Sequence, residues 1–261
     1  MNDRPSAVRR RLGQPNPGIR YRGGPIFNVP SPIGTIVLWT SLAFFVSLTV
    51  PSPTGRGLLV DDFSFVPVEF LARIESGAFL SALVPLFGHI FMHGNLGHLA
   101  LNMVWLVVFG SGIARRLCVE GGNPDDRAHN VLVFVAFYLS CGVAGAVAQF
   151  LWNPIETIGL VGASGAISGL MAGTLRFALR LFVPLGAEYG RLAPVNARPV
   201  LLASVVYIGL NIATGIAGAF GVESAAIIAW QAHVGGFVFG LVAFPLFDRL
   251  ARRPALPFGF G

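Results

Sequence analysis

The chain contains no lysine and little charge of either sign: charged residues make up 11% of its 261 positions, against 54% hydrophobic. A soluble globular domain carries roughly 25% charged residues, so that class is excluded. A mean hydropathy of +0.70 points instead to a polytopic membrane protein. Cysteine is almost as scarce. Cys118 and Cys141 stand alone, without CxxC spacing, which argues against a disulfide framework or a zinc site. The net charge of +6 comes from arginine only and reads as a topological signal, not as a nucleic-acid surface. Arg4, Arg9, Arg10, Arg11, Arg20 and Arg22 are scattered among proline and glycine. Such a segment forms no amphipathic helix, which argues against a mitochondrial presequence.

What the chain has in abundance is apolar length. A membrane-crossing helix needs about 20 apolar residues, and six such runs are predicted at 31–50, 95–114, 130–151, 163–182, 199–219 and 227–247. With the N-terminus inside, every arginine except Arg56 and Arg73 falls on the inner side. The positive-inside rule then makes both termini cytoplasmic. The organisation expected is a flexible tail over 1–30, a six-helix core over 31–250 and a short tail over 251–261. No charged residue occurs between Glu75 and Arg115, a stretch roughly twice what one span needs. The surplus, 76–94, is expected to dip into the bilayer or pack on the bundle, because irregular backbone at that depth must be buried in protein or line a wet cavity.

Polar residues inside such runs are functional candidates by default. Gly162-Ala163-Ser164-Gly165 opens the fourth run, and His233 lies in the sixth. His89, His93, His98 and Asn102 form HxxxHxxxxHxxxN around the second, with His98 and Asn102 on one helix face. Depth can be counted from the first charged residue at each inner end. Asn102 lies 13 positions before Arg115, Ser164 12 before Arg176, His233 15 before Asp248, and His98 17 before Arg115. At 1.5 Å per residue these are about 20, 18, 22 and 26 Å, one layer in the outer half of the bilayer. Gly165, Gly169 and Gly173 in the fourth run and Gly236 and Gly240 in the sixth form small-xxx-small faces, beside Ser164 and His233, that let membrane helices approach closely. That approach would bring hydroxyl and imidazole together.

The chemistry that fits is a nucleophilic serine with a histidine general base. No Asp or Glu lies in any predicted span, so a Ser-His-Asp triad is not expected. The Ser164 backbone N–H, the Asn102 amide and the His98 ring are candidate oxyanion donors. His89 and His93, one turn apart, are expected to form a structural hydrogen-bonding pair, and His129 to be solvated. A metalloenzyme using the HxxxH pair is the competing enzyme class, but five histidines and no membrane carboxylate are too few ligands for a histidine box.

Taken together, these residues resemble a rhomboid intramembrane serine protease: the HxxxHxxxxHxxxN pattern, the Gly-Ala-Ser-Gly turn, and Ala232-His233 followed by Gly236 and Gly240. The resemblance covers about 31–250. It implies an all-α six-helix membrane bundle with a membrane-embedded first loop over 51–94, and hydrolysis of peptide bonds in or near transmembrane segments without metal or cofactor. It makes Ser164 the nucleophile, His233 the base, and His98 and Asn102 oxyanion-hole residues. Gly162, Gly165, Gly236, Gly240, His89 and His93 are supporting. The implied partners are transmembrane protein substrates and the lipid bilayer, with no nucleic acid, in a prokaryotic plasma (inner) membrane. The alternative is a catalytically weak or inactive relative that binds transmembrane segments. Three positions depart from the family pattern. Val84-Pro85 stands near where relatives carry Trp-Arg, Ala114 replaces an acidic residue, and Ser168 replaces an aromatic that stacks on the histidine. A serine leaves space beside His233, so the ring is expected to sample more rotamers, or a water or a neighbouring side chain to fill the gap.

Overall fold

The computed structural model describes residues 29–50, 58–118, 123–178, 192–221 and 228–252. Among these it is an all-α membrane bundle without strands; Phe65 and Leu160 form one isolated antiparallel bridge. The helices are α1 (Ser31–Thr49), α2 (Leu58–Phe63), α3 (Pro67–Glu75), α4 (Phe79–Gly88), α5 (Leu96–Trp105), α6 (Ser111–Leu117), α7 (Pro124–Trp152), α8 (Ser164–Ala178), α9 (Arg198–Ala219) and α10 (Trp230–Leu250). A π-helical turn, Leu106–Gly110, fuses α5 and α6 into one span over 96–117. That span, α1, α7, α9 and α10 are each long and apolar enough to cross a membrane. The remaining predicted span, 163–182, appears as α8, 15 residues within the described region.

Local signals account for the helix starts. Pro32 and Pro124 fall in the first turns of α1 and α7, where a missing N–H costs nothing. Asn123 caps α7 by accepting from the Asp126 N–H at 2.8 Å, and Asp125 and Asp126 sit favourably at the positive end of the helix dipole. The third span therefore begins at 124 rather than 130. Asn95 caps α5 in the same way, accepting from the His98 N–H at 2.8 Å. This places the second span's start where the arginine count put it.

Sidedness is inverted relative to a soluble protein. Along α1, Ile33, Ile36, Thr40, Phe44 and Ser47 recur at helical spacing and are buried, while Leu38, Trp39, Leu42 and Phe45 are exposed. Large apolar side chains turned outward on this scale mark a lipid-facing surface. α8 is the opposite case, buried on nearly every side, and it forms the bundle's axis between α7 and α10. α9 packs least: only Val200 and Ser204 along it are buried.

The surplus apolar stretch folds as α4 followed by a 3-10 turn, His89–Phe91. Phe79, Leu80, Leu83, Val84 and Phe87 project outward while Ala82, Pro85 and Leu86 are buried. Phe65 and Leu160 exchange N–H···O bonds of 3.0 and 2.8 Å, fastening this loop region to the segment that leads into Ser164. At the arginine-rich end, Arg116 makes a two-pronged ion pair with Asp248 at 2.8 and 2.9 Å, with its guanidinium 5.0 Å over the Phe177 ring. Arg176, buried, donates to the carbonyls of Ala193 (2.6 Å) and Leu241 (2.5 Å). Asn130 and the Arg252 backbone exchange two bonds of 2.8 Å. Ala251 and Arg252 are thus docked on the bundle, so the core reaches beyond 250. Residues 1–28 and 253–261 of the predicted tails lie outside the described residues.

Candidate active site

Ser164 is the first residue of α8, and the turn before it depends on glycine. Gly162 has φ +115, a backbone conformation that side-chain-bearing residues rarely adopt. A Cβ there would also meet the His98 ring at 2.7 Å. The Gly162 N–H donates to the His89 carbonyl at 2.9 Å, which anchors the turn on the 3-10 segment. His98, Asn102 and the Ser164 turn are thereby brought to one place, as their common depth implied.

Glycines set the distance between α8 and α10. A Cβ on Gly236 would collide with the Gly165 carbonyl, one on Gly240 with Gly169, and one on Gly165 would meet the Ala232 carbonyl at 3.2 Å. α7 joins the same contact: a Cβ on Gly145 would come within 2.7 Å of the Ala232 carbonyl. Backbones this close carry His233 to Ser164. His233 Nε2 lies 2.8 Å from Ser164 Oγ, a hydrogen bond in which the hydroxyl can donate its proton to the ring.

The other polar groups divide. Asn102 is buried, and one hydrogen of its amide is donated to the His98 carbonyl at 2.9 Å, leaving the second to donate elsewhere. His89 and His93 do not form the expected pair. The second span begins only at Leu96, the start of α5, so neither histidine is on it. His89 sits in the 3-10 turn, donating through Nδ1 to the Pro85 carbonyl at 3.1 Å. His93 is buried, neither ring nitrogen has a hydrogen-bond partner among the described residues, and its ring stands edge-on to His98 with centroids 5.1 Å apart. His129 is not merely solvated, since its Nε2 reaches the Leu250 carbonyl at 3.0 Å. Among the described residues, no three His, Cys, Asp or Glu come together at metal-binding distance.

Of the alternatives for Ser168, a neighbouring side chain is the one found against it. Ser168 is buried; its hydroxyl donates to the Ser164 carbonyl at 2.6 Å and meets the Tyr207 hydroxyl at 2.6 Å. Tyr207 in turn stacks on Phe237 of α10, centroids 4.6 Å apart. An aromatic from α9 thus contacts Ser168 through its hydroxyl while its ring stacks on α10. A second α9 residue, Asn211, reaches His233: its Oδ1 lies 2.9 Å from Nδ1 of the ring. Neither residue figured in the motif reading. The available signal was Ser204, Tyr207 and Asn211, three polar groups spaced along one face of an otherwise apolar helix.

No curated protein matches the chain. A family model does: that of the Rhomboid domain, over residues 81–249. This match runs from α4 to the end of α10 and takes in the Ser164 turn, His233, His98, Asn102 and the glycines that pack α8 against α10. The chain belongs to the rhomboid family.

Proposed function

We propose that this protein is an intramembrane serine endopeptidase. It cleaves peptide bonds in or near transmembrane segments of other membrane proteins through a Ser164–His233 dyad and an acyl-enzyme. The rhomboid family comprises intramembrane proteases and inactive relatives, and the observation that favours the protease is the 2.8 Å contact between Ser164 Oγ and His233 Nε2. A hydroxyl and an imidazole so paired inside an apolar bundle have the arrangement of an activated nucleophile and its base.

In this reading Ser164 Oγ attacks the scissile carbonyl carbon as its proton passes to His233 Nε2. The oxygen of the tetrahedral intermediate takes up negative charge and is met by the Ser164 N–H, the free Asn102 amide hydrogen and the His98 ring. Collapse breaks the C–N bond, and His233 returns the proton to the leaving amine. Water, deprotonated by the same imidazole, then releases the acyl group. The orientation that fits the arginine distribution places both termini in the cytoplasm of a prokaryotic cell and the dyad in the outer half of the plasma membrane.

The test is to incubate purified protein with a panel of single-span membrane proteins and map new termini by mass spectrometry. New termini within or beside membrane segments are expected from wild type and from neither Ser164→Ala nor His233→Ala, with all three equally folded. A wild-type protein that binds such segments without cleaving any would replace this reading with that of an inactive, segment-binding relative.

A further inference from the structure

α9 presents its apolar residues outward and its polar ones inward. Leu201, Leu202, Val205, Val206, Leu210, Ile212 and Ile216 are exposed, while Ser204, Tyr207 and Asn211 follow one face at helical spacing toward α8 and α10. Polar side chains that face the interior from a membrane helix are candidates for function. The contact made by Asn211 is specific enough to name one. Resting on the reading of Ser164 and His233 as the reacting pair, we propose that Asn211 is the positioning residue for the base, a third member of a Ser164–His233–Asn211 relay.

The Asn211 Nδ2 donates to the Tyr207 carbonyl one turn earlier at 2.9 Å, so the amide oxygen is the atom turned toward His233. An amide oxygen only accepts. At 2.9 Å from Nδ1, it requires that nitrogen to carry the ring's hydrogen. The other nitrogen, Nε2, is then left with its lone pair, and this is the atom 2.8 Å from Ser164 Oγ. Asn211 therefore selects the only neutral tautomer that can take the serine proton and fixes the ring plane while it does so. As the imidazolium forms, the Oδ1 dipole opposes its positive charge without an ionised group in the bilayer. No Asp or Glu lies in the six predicted spans, and here a neutral amide supplies the orientation that an aspartate would supply in water.

A purely structural role predicts something different. Interhelical hydrogen bonds also glue membrane helices, and Asn211 in that role would hold α9 without touching the proton transfer. The experiment compares wild type, Asn211→Leu, which keeps a similar branched shape but has no acceptor, and Asn211→Asp, which restores an acceptor. Three quantities are read: the rate at which a fluorophosphonate labels Ser164, kcat and KM on a cleaved single-span substrate, and Tm. Asn211→Leu is expected to lower the labelling rate and kcat by about ten- to a hundredfold, the loss typical of a hydrogen bond to a group that becomes charged. KM and Tm should stay near wild type, and Asn211→Asp should recover most of the loss. If Asn211→Leu does not fold, Asn211→Ala serves the same comparison. A Leu variant that labels and cleaves at the wild-type rate, or one whose KM rises at unchanged kcat, would overturn the relay while leaving the dyad intact. Wild type that never labels at Ser164 would instead remove the protease reading, and the relay with it.

Discussion

Ser168 illustrates how the place of a side chain can be legible in a sequence while the identity of its neighbour is not. Its place one turn into α8 followed from the sequence, but the partner came from a helix 39 residues away. With Tyr207 already there, Ser168→Tyr or Ser168→Phe is expected to overpack the site, at about 1–3 kcal/mol. Tm and turnover should both fall; a rise in turnover would mean that the Tyr207 contact does not brace the site. Gly162→Ala should be more damaging still, because it faces an unfavourable φ and the His98 ring together. Asn102→Ala, by contrast, removes one oxyanion donor and should reduce kcat by about 10²–10³ while leaving Ser164 reactive toward a fluorophosphonate. Motif residues such as these could be read from the sequence because burying a polar group in an apolar run is costly, so each one stands out. Asn211 obeyed the same rule yet belonged to no recurring motif, and its role emerges only from the ring atom it faces.

Among the helices, α8 and α10 form the contact on which the site depends, and it is made by hydrogens where side chains would otherwise be. Gly236→Val should drive α10 off the Gly165 carbonyl, separating His233 from Ser164, and Gly240→Val should do the same against Gly169. Gly209 on α9 is the control: a Cβ there meets nothing within 4 Å, so Gly209→Ala should leave activity unchanged and helix propensity slightly improved. Fluorophosphonate labelling of these variants in the same detergent separates the cases; equal labelling of Gly236→Val and Gly209→Ala would refute the close-approach argument. Span positions were readable to within a few residues, apart from the start of α7. There Asn123 and Pro124 begin the helix before the apolar run does, and only cap chemistry reveals it. Periodicity gave no hint of the π turn at Leu106–Gly110, since one extra residue per turn leaves composition unchanged.

The bundle as a whole has two differently built ends. Around Ser164 there are histidines, amides and a serine; at the other end charged groups close the structure, with Arg116 and Asp248 largely buried against Phe177. Breaking a buried pair costs about 3–5 kcal/mol, so Asp248→Ala should lower Tm well below wild type, whereas Glu69→Ala, in an exposed pair, should not. Orientation is tested by introducing cysteines at exposed Asp62 and Asn196 in a Cys118→Ser background. Burial pushes the native Cys118 thiol up to about 11, so at neutral pH it stays protonated and reacts slowly in any case. A membrane-impermeant maleimide applied to intact cells should modify the cysteine at 62 and spare that at 196. The most direct trial of the whole account is labelling of detergent-solubilised wild-type protein with a fluorophosphonate, followed by peptide mapping. A Ser164–His233 dyad gives a single phosphonylated residue, Ser164, with labelling lost in His233→Ala although the serine remains. Modification elsewhere, or a His233→Ala protein labelled as fast as wild type, would contradict it.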